Sequence, residues 1–249
     1  MKKFFLMIGI LGLVAFGMAS CERDDDNTNT NTNTNTPTNP TNPSDPTNPT
    51  NPTTVEWIDL GLPSGLLWAS CNLGATTPEG YGYYYAWGET QTKSVYDWSN
   101  YAYGSDYNQL TKYCNNSNYG YYGFTDNLTT LQPSDDAATQ VLGGGARIPT
   151  KAEWQELLDN TTAEWTTQNG VNGRKFTAAN GSSLFLPAAG YRDGSSLNDH
   201  GTGGGYWSSS LSESCQYAAW RMIFYSDHHG FDYPTRVCGR SVRAVRSRN

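Results

Sequence analysis

Ala218-Ala219-Trp220-Arg221-Met222-Ile223-Phe224-Tyr225 lies between Gly205-Tyr206-Trp207-Ser208-Ser209-Ser210 and the ending Gly239-Arg240-Ser241-Val242-Arg243-Ala244-Val245-Arg246. Ala218, Trp220, Met222 and Phe224 fall on one side of an extended chain, and Tyr217, Arg221, Ile223 and Tyr225 on the other. A period of two with one apolar side predicts a half-buried strand whose first set faces the core. The second set combines Tyr, Arg and an uncovered Ile, side chains that anchor partners at interfaces. Ser226-Asp227-His228-His229-Gly230-Phe231-Asp232-Tyr233-Pro234 reads as a polar, aromatic hairpin tip bounded by Gly and Pro. A last strand around Val242 to Val245 then returns towards the core. Asn is abundant upstream, yet none occurs between Asn198 and Asn249.

Working outward, the 249 residues divide by composition. Residues 1–54 lack the material for a core, which leaves one domain, 55–249. A net charge of -7 gives no basic footprint, so nucleic acid is not an expected partner. With 26 Gly, 17 Tyr and 8 Trp, the chain predicts a loop-rich, aromatic-rich domain.

Met1 to Ser20 has the layout of an export signal: Lys2 and Lys3, an apolar run from Phe4 to Met18, then small residues. It is short for a membrane-spanning helix. Met18-Ala19-Ser20-Cys21 resembles the lipobox of bacterial lipoproteins, which implies acylation of Cys21 and a membrane anchor that does not span; an ordinary cleaved signal is the alternative. Glu22 and Asp24 to Asp26 resemble the signal that sends such lipoproteins to the outer face of the outer membrane. Asn27 to Thr54 is a low-complexity tether of Asn-Thr and Thr-Asn-Pro repeats. Extended at ~3.1 Å per residue, its Pro-rich half would raise a domain well above the surface.

Two short strands are expected between Val55 and Cys71, around Leu62-Pro63-Ser64-Gly65. A first helix, Asp135 to Leu142, follows Pro133-Ser134, which can cap it, and stops at Gly143-Gly144-Gly145. The second opens on Thr150-Lys151-Ala152-Glu153, a capping box, and carries Trp154, Leu157 and Leu158 on one face. Lys175-Phe176-Thr177 and Ser183 to Pro187 form a hairpin around Asn180-Gly181.

Arg147-Ile148-Pro149-Thr150-Lys151-Ala152-Glu153-Trp154, with Tyr206-Trp207-Ser208-Ser209-Ser210 and the Gly-x-Ser-Val-Arg ending, resembles the branch of the C-type lectin fold that includes formylglycine-generating enzymes. Asp59 to Ala69, Ala86-Trp87-Gly88-Glu89-Thr90, Asp135-Asp136-Ala137-Ala138 and Leu186 to Arg192 are similar to a large paralogous family of secreted lipoprotein domains in gut anaerobes. The resemblance spans residues 55 to 246 and implies an α+β domain with two helices and a small, twisted antiparallel sheet.

The ending also resembles the variable region of proteins diversified by retroelements. Such copying turns Asn codons into codons for Tyr, Asp, His, Ser, Phe, Ile and others, but not Lys, Glu, Gln, Met or Trp. Tyr217, Ile223, Tyr225, Asp227, His228, His229, Phe231, Asp232 and Tyr233 fit that set, with Glu213, Gln216, Trp220 and Met222 as fixed scaffold.

Other chemistry finds less support. His228 and His229 are adjacent, so on a strand they point apart and do not readily share a metal. Asp193 to Asp199 lacks EF-hand spacing, no Walker loop or Ser/His/Asp pattern is legible, and no cofactor or metal is expected. Cys71, Cys114, Cys215 and Cys238 remain after Cys21; Cys215 and Cys238 flank the hairpin and could close it, although spacing fixes no connectivity. The expected protein is a non-enzymatic, surface-tethered lipoprotein that binds a protein or glycan through Tyr217, Arg221, Ile223, Tyr225, Asp227, His228, His229, Phe231, Asp232 and Tyr233. A fixed structural or adhesive module is the alternative, and a formylglycine-generating type of enzyme the remotest one.

Overall fold

The computed structural model describes residues 55–248. The expected signal (1–20), the lipidation site Cys21 and the tether up to residue 54 lie outside the described residues. Trp57–Asp59 (β1) and Leu67–Ala69 (β2) pair antiparallel across the expected turn. Gly65 closes it: its N–H donates to Leu62 O at 2.9 Å with φ at +69°, a value glycine reaches without a Cβ penalty.

After a long stretch of turns and isolated bridges, Ala137–Leu142 (α1) begins on Asp136 rather than Ser134. Pro133–Asp135 is drawn into a 3₁₀ turn, so Asp136 is the residue left extended, with its carboxylate accepting from Thr139 N–H. Gly143, Gly144 and Gly145 end the helix, all with positive φ. Lys151–Asp159 (α2) carries both halves of the expected capping box, Thr150 and Glu153, and buries Trp154 and Leu157.

Thr161–Gln168 (β3), Val171–Ala178 (β4) and Ser183–Pro187 (β5) form one antiparallel sheet. Tyr191–Asp193 (β6) and Ser196–Asn198 (β7) make a separate hairpin. Gly204–Leu211 (β8), Ala219–Phe224 (β9) and His229–Asp232 (β10) form the sheet that carries the hairpin, in the order β10-β9-β8. Val245–Arg246 (β11) joins the far side of β2, pairing Val245 with Trp68. The class is therefore α+β with two α-helices, but the single sheet expected is replaced by several small antiparallel ones. Most pairings are local hairpins; β11 alone returns from the far end of the sequence to join β1 and β2.

Two apolar clusters dominate the core. Trp68, Trp154, Phe176, Tyr206, Met222 and Phe224 belong to one, and Trp87, Tyr113, Ile148, Trp207, Leu211 and Val242 to the other. One indole N–H links them, Trp154 Nε1 donating to Trp207 O at 3.2 Å, while within the second cluster Trp207 Nε1 donates to Tyr85 O at 2.7 Å and Trp87 Nε1 to Ser208 O at 2.8 Å. Arg243, fully buried, clasps the first sheet to the rest by donating to Ala69 O, Ser70 O, Asn72 Oδ1 and Phe185 O.

Candidate ligand-binding surface

The strand β9 sits centrally, and its register aligns four rows: Gly204–Phe224–His229, Gly205–Ile223–Gly230, Tyr206–Met222–Phe231 and Trp207–Arg221–Asp232. Tyr206, Met222 and Phe224 are buried in the core, as their alternation predicts. Phe231 shares their side and packs against that cluster, which makes it a partly buried support and not an outward contact residue.

Trp220 does not follow the core face assigned to it. Trp207 faces Arg221 while Leu211 faces Ala219, so β8 spends extra residues in a bulge there. Trp220 is left half-buried at the surface, donating from Nε1 to Glu213 Oε2 at 2.8 Å, with Lys151 Nζ 3.1 Å above its ring and Tyr233 edge-on at 4.9 Å.

Arg221 also departs from expectation: it is only 7% exposed. Its Nε donates to Asp232 Oδ1 at 2.5 Å and its Nη2 to Asp232 Oδ2 at 2.7 Å, a bidentate pair joining neighbouring strands. The supposedly open face is roofed by Tyr191, whose ring centre lies 5.9 Å from Arg221 Cζ and 4.6 Å from Arg240 Cζ. Arg240, between Tyr191 and Trp207, is 2% exposed, and its Nε and Nη1 have no hydrogen-bond partner. Burial, and secondly the Arg221 charge, push its pKa down to about 10.

The exposed part is the tip. Tyr225 N–H donates to His228 O at 2.9 Å, so the turn is shorter than the loop expected and His229 already belongs to β10. Arg174 of β4 reaches beneath it: Nη2 donates to Tyr225 O at 3.1 Å and to Ser226 O at 3.2 Å, and Nη1 meets His229 Nδ1. Partial desolvation at the Arg174 side of the ring, and the Arg174 guanidinium itself, hold His229 below the ordinary histidine pKa. His228 turns elsewhere, to Asp227 Oδ1 at 2.7 Å, and lowers the Asp227 carboxyl. Tyr225 donates to Asp199 Oδ2 at 2.7 Å; burial and that carboxylate raise its phenol to about 12. Above this clamped backbone Asp227, His228 and His229 are exposed, while Ile223, Tyr225 and Asp232 reach solvent in part.

Tyr217 is not with them. Its ring lies 5.9 Å from Tyr107 and 5.9 Å from Tyr119, in a surface built by the loop around residues 103–124. Tyr233 stands with Trp220. The sequence-predicted set is thus split between the tip, the Trp220 edge and the loop surface.

No bridge joins Cys215 to Cys238. Beyond the Ala218–Thr235 bridge the two segments diverge. Gly239 exchanges hydrogen bonds with Arg192 at 2.8 and 2.9 Å, while Cys215 N–H is held by Ser212 Oγ at 3.2 Å. Among the described residues, no three His, Cys, Asp or Glu side chains come together as a metal site.

Three residues escaped sequence reasoning. Arg174 and Arg240 look like solvated surface charges in the sequence, and Asp199 like a loop acid; their partners lie too far along the chain for any local pattern to announce them. Comparison with protein-family models, with curated proteins and with solved structures finds no match to this chain.

Proposed function

We propose that this chain is a surface-tethered lipoprotein whose domain, C-type lectin-like in fold, binds a protein or glycan through the tip of the β9–β10 hairpin. The observation that carries this reading is the clamp: exposed Asp227 and His228 stand on a turn whose carbonyls are held from below by Arg174, itself buried. A fixed backbone under exposed polar side chains reduces the ordering cost of binding. Localisation to the outer membrane, facing outward, rests on Met18-Ala19-Ser20-Cys21, the acidic residues after it and the Asn-Thr-Pro tether. The role is that of a binding domain, not an enzyme.

Retroelement diversification is part of the same proposal. Tyr217, Ile223, Tyr225, Asp227, His228, His229, Phe231, Asp232 and Tyr233 all keep some solvent exposure, whereas Gln216 and Met222, two of the scaffold positions, are buried. A fixed module is favoured by the partial burial of Phe231 against the core. Deep sequencing of the 3′ end of the gene across a grown population separates the two. Substitutions confined to the nine codons support diversification; an invariant end with no near-copy and no neighbouring reverse transcriptase leaves a fixed module.

The binding role itself is tested by adhesion of cells displaying the full chain. The double substitution Asp227→Ala/His228→Ala is expected to lower adhesion to partner-bearing cells at least ten-fold at equal surface display. Equal adhesion removes the tip from the proposal.

A further inference from the structure

A second surface, built by residues the hairpin does not use, carries its own chemistry. Tyr107, Tyr121, Tyr122 and Phe124 are 40%, 46%, 91% and 36% exposed, and among the described residues they are the large apolar side chains that stand most open to water. Leu110, fully buried, roots the loop by accepting from Tyr121 N–H at 2.8 Å and donating to Tyr119 O at 2.9 Å. Gly120 then lets the chain fold back on itself, since a Cβ there would lie 1.8 Å from Phe124 O. The resulting turn closes through Gly123 N–H to Gly120 O at 2.9 Å and Phe124 N–H to Tyr121 O at 3.1 Å.

On this turn Tyr122 adopts φ 49° and ψ 36°, a left-handed conformation unfavourable for a bulky side chain. Its ring gains little burial in return; it meets Tyr121 edge-on, with centroids 4.3 Å apart and the planes 62° from parallel. The fold therefore holds two phenol rings out at a strained, well-defined position.

The surroundings decide what these rings suit. From 107 to 124 the only charged residue is Lys112, and although partly exposed it is already paired, with Nζ 2.5 Å from Asp135 Oδ2 and 5.4 Å from the Tyr103 ring centre. Asn115, Asn116, Ser117 and Asn118 are exposed on the same loop. Within a protein of net charge -7, this segment offers aromatic faces and uncharged amides together. Sugar rings pack their C–H faces on phenols and exchange hydroxyl hydrogen bonds with amides, while a carboxylate or phosphate would find no uncommitted cation on this segment.

We propose that the Tyr121–Tyr122 turn and its amide-rich flank form a binding surface for a neutral polysaccharide, separate from the hairpin tip. The test is affinity electrophoresis of the full chain in native gels containing mannan, mixed-linkage β-glucan or arabinoxylan, with polygalacturonate and heparin as anionic controls. At least one neutral gel should retard the protein, and neither anionic gel should. Tyr121→Ala/Tyr122→Ala should weaken that retardation at least ten-fold with Tm unchanged, whereas Asp227→Ala/His228→Ala should leave it intact. No retardation in any neutral gel overturns the proposal, as does retardation that survives the Tyr121/Tyr122 change or that occurs only with the anionic polymers. Self-association that disappears in the Tyr121/Tyr122 variant, without glycan retardation, would make the surface an interface between copies and overturn it equally. The tip-binding proposal stands or falls separately, since its own variant is scored here as a control.

Discussion

Single residues in this domain are explained by partners distant in sequence. Arg243 donates to Ala69 O, Ser70 O, Asn72 Oδ1 and Phe185 O from a fully buried position. Arg243→Met removes the donors and leaves buried acceptors unsatisfied, so the domain is expected to lose about 3 kcal/mol or more in urea unfolding. Arg243→Lys should recover only part of this, because a point ammonium lacks the planar fork that reaches several carbonyls at once. His229 gives a pH dependence with a definite sign. Partial desolvation and Arg174 depress its folded pKa below the ordinary 6.5. As pH falls through 6.5 the unfolded chain takes up a proton that the folded one still refuses, so unfolding becomes easier until the lower folded pKa is reached. His200, depressed by burial and Arg192, acts in the same direction. Denaturation midpoints should therefore drop between pH 7 and pH 5, and His229→Asn should shrink the drop. A midpoint that rises over that interval would show that His229 prefers to be charged in the folded protein.

At the scale of elements, local signals carried the reading well where hydrogen bonds stay within a few residues. The capping box is present in full: Glu153 N–H donates to Thr150 Oγ1 at 3.2 Å and Thr150 N–H to Glu153 Oε2 at 2.8 Å. Thr150→Ala is expected to lower stability by about 1 kcal/mol and to leave tip-dependent adhesion unchanged. Asn169-Gly170 joins β3 to β4 with φ 48° and 82°, a turn that requires left-handed residues and that an Asn-Gly pair announces as clearly as Asn180-Gly181 does. The strand β3 is hard to read from sequence although that signal is there, because Thr161–Gln168 is mostly polar and only Ala163 and Trp165, which pack against the core, carry its apolar alternation. In β10 the outcome is reversed: Phe231 looks like a contact residue in sequence and packs as a core support. Phe231→Ala should cost roughly 2 kcal/mol through the cavity it leaves, whereas Asp227→Ala/His228→Ala, fully outside the core, should shift Tm little. Equal Tm values for the two variants would return Phe231 to the binding surface.

Across the domain, the indole of Trp154 couples two apolar clusters through a buried hydrogen bond to Trp207 O. Unfolding is expected as one transition, with tryptophan fluorescence and far-UV circular dichroism coinciding; Trp207→Phe should shift both together by about 1 kcal/mol, since Tyr85 O loses one of its two donors and keeps Arg240 N–H. Two separated transitions would mean that the clusters are independent units. The sequence by itself determined both helices, the turn glycines and the apolar side of β9 apart from Trp220, because each rests on steric preference or on hydrogen bonds spanning a few residues. Only the tertiary structure decided which side chains of the opposite face meet solvent. Arg221 is buried because Asp232 and Tyr191 cover it, two carbonyls of the tip are held because Arg174 arrives from 51 positions away, and Tyr217 joins the loop of Tyr107 and Tyr119 in place of the hairpin. Alternation assigns a residue to one of two faces; it carries no information about what the rest of the chain lays over that face.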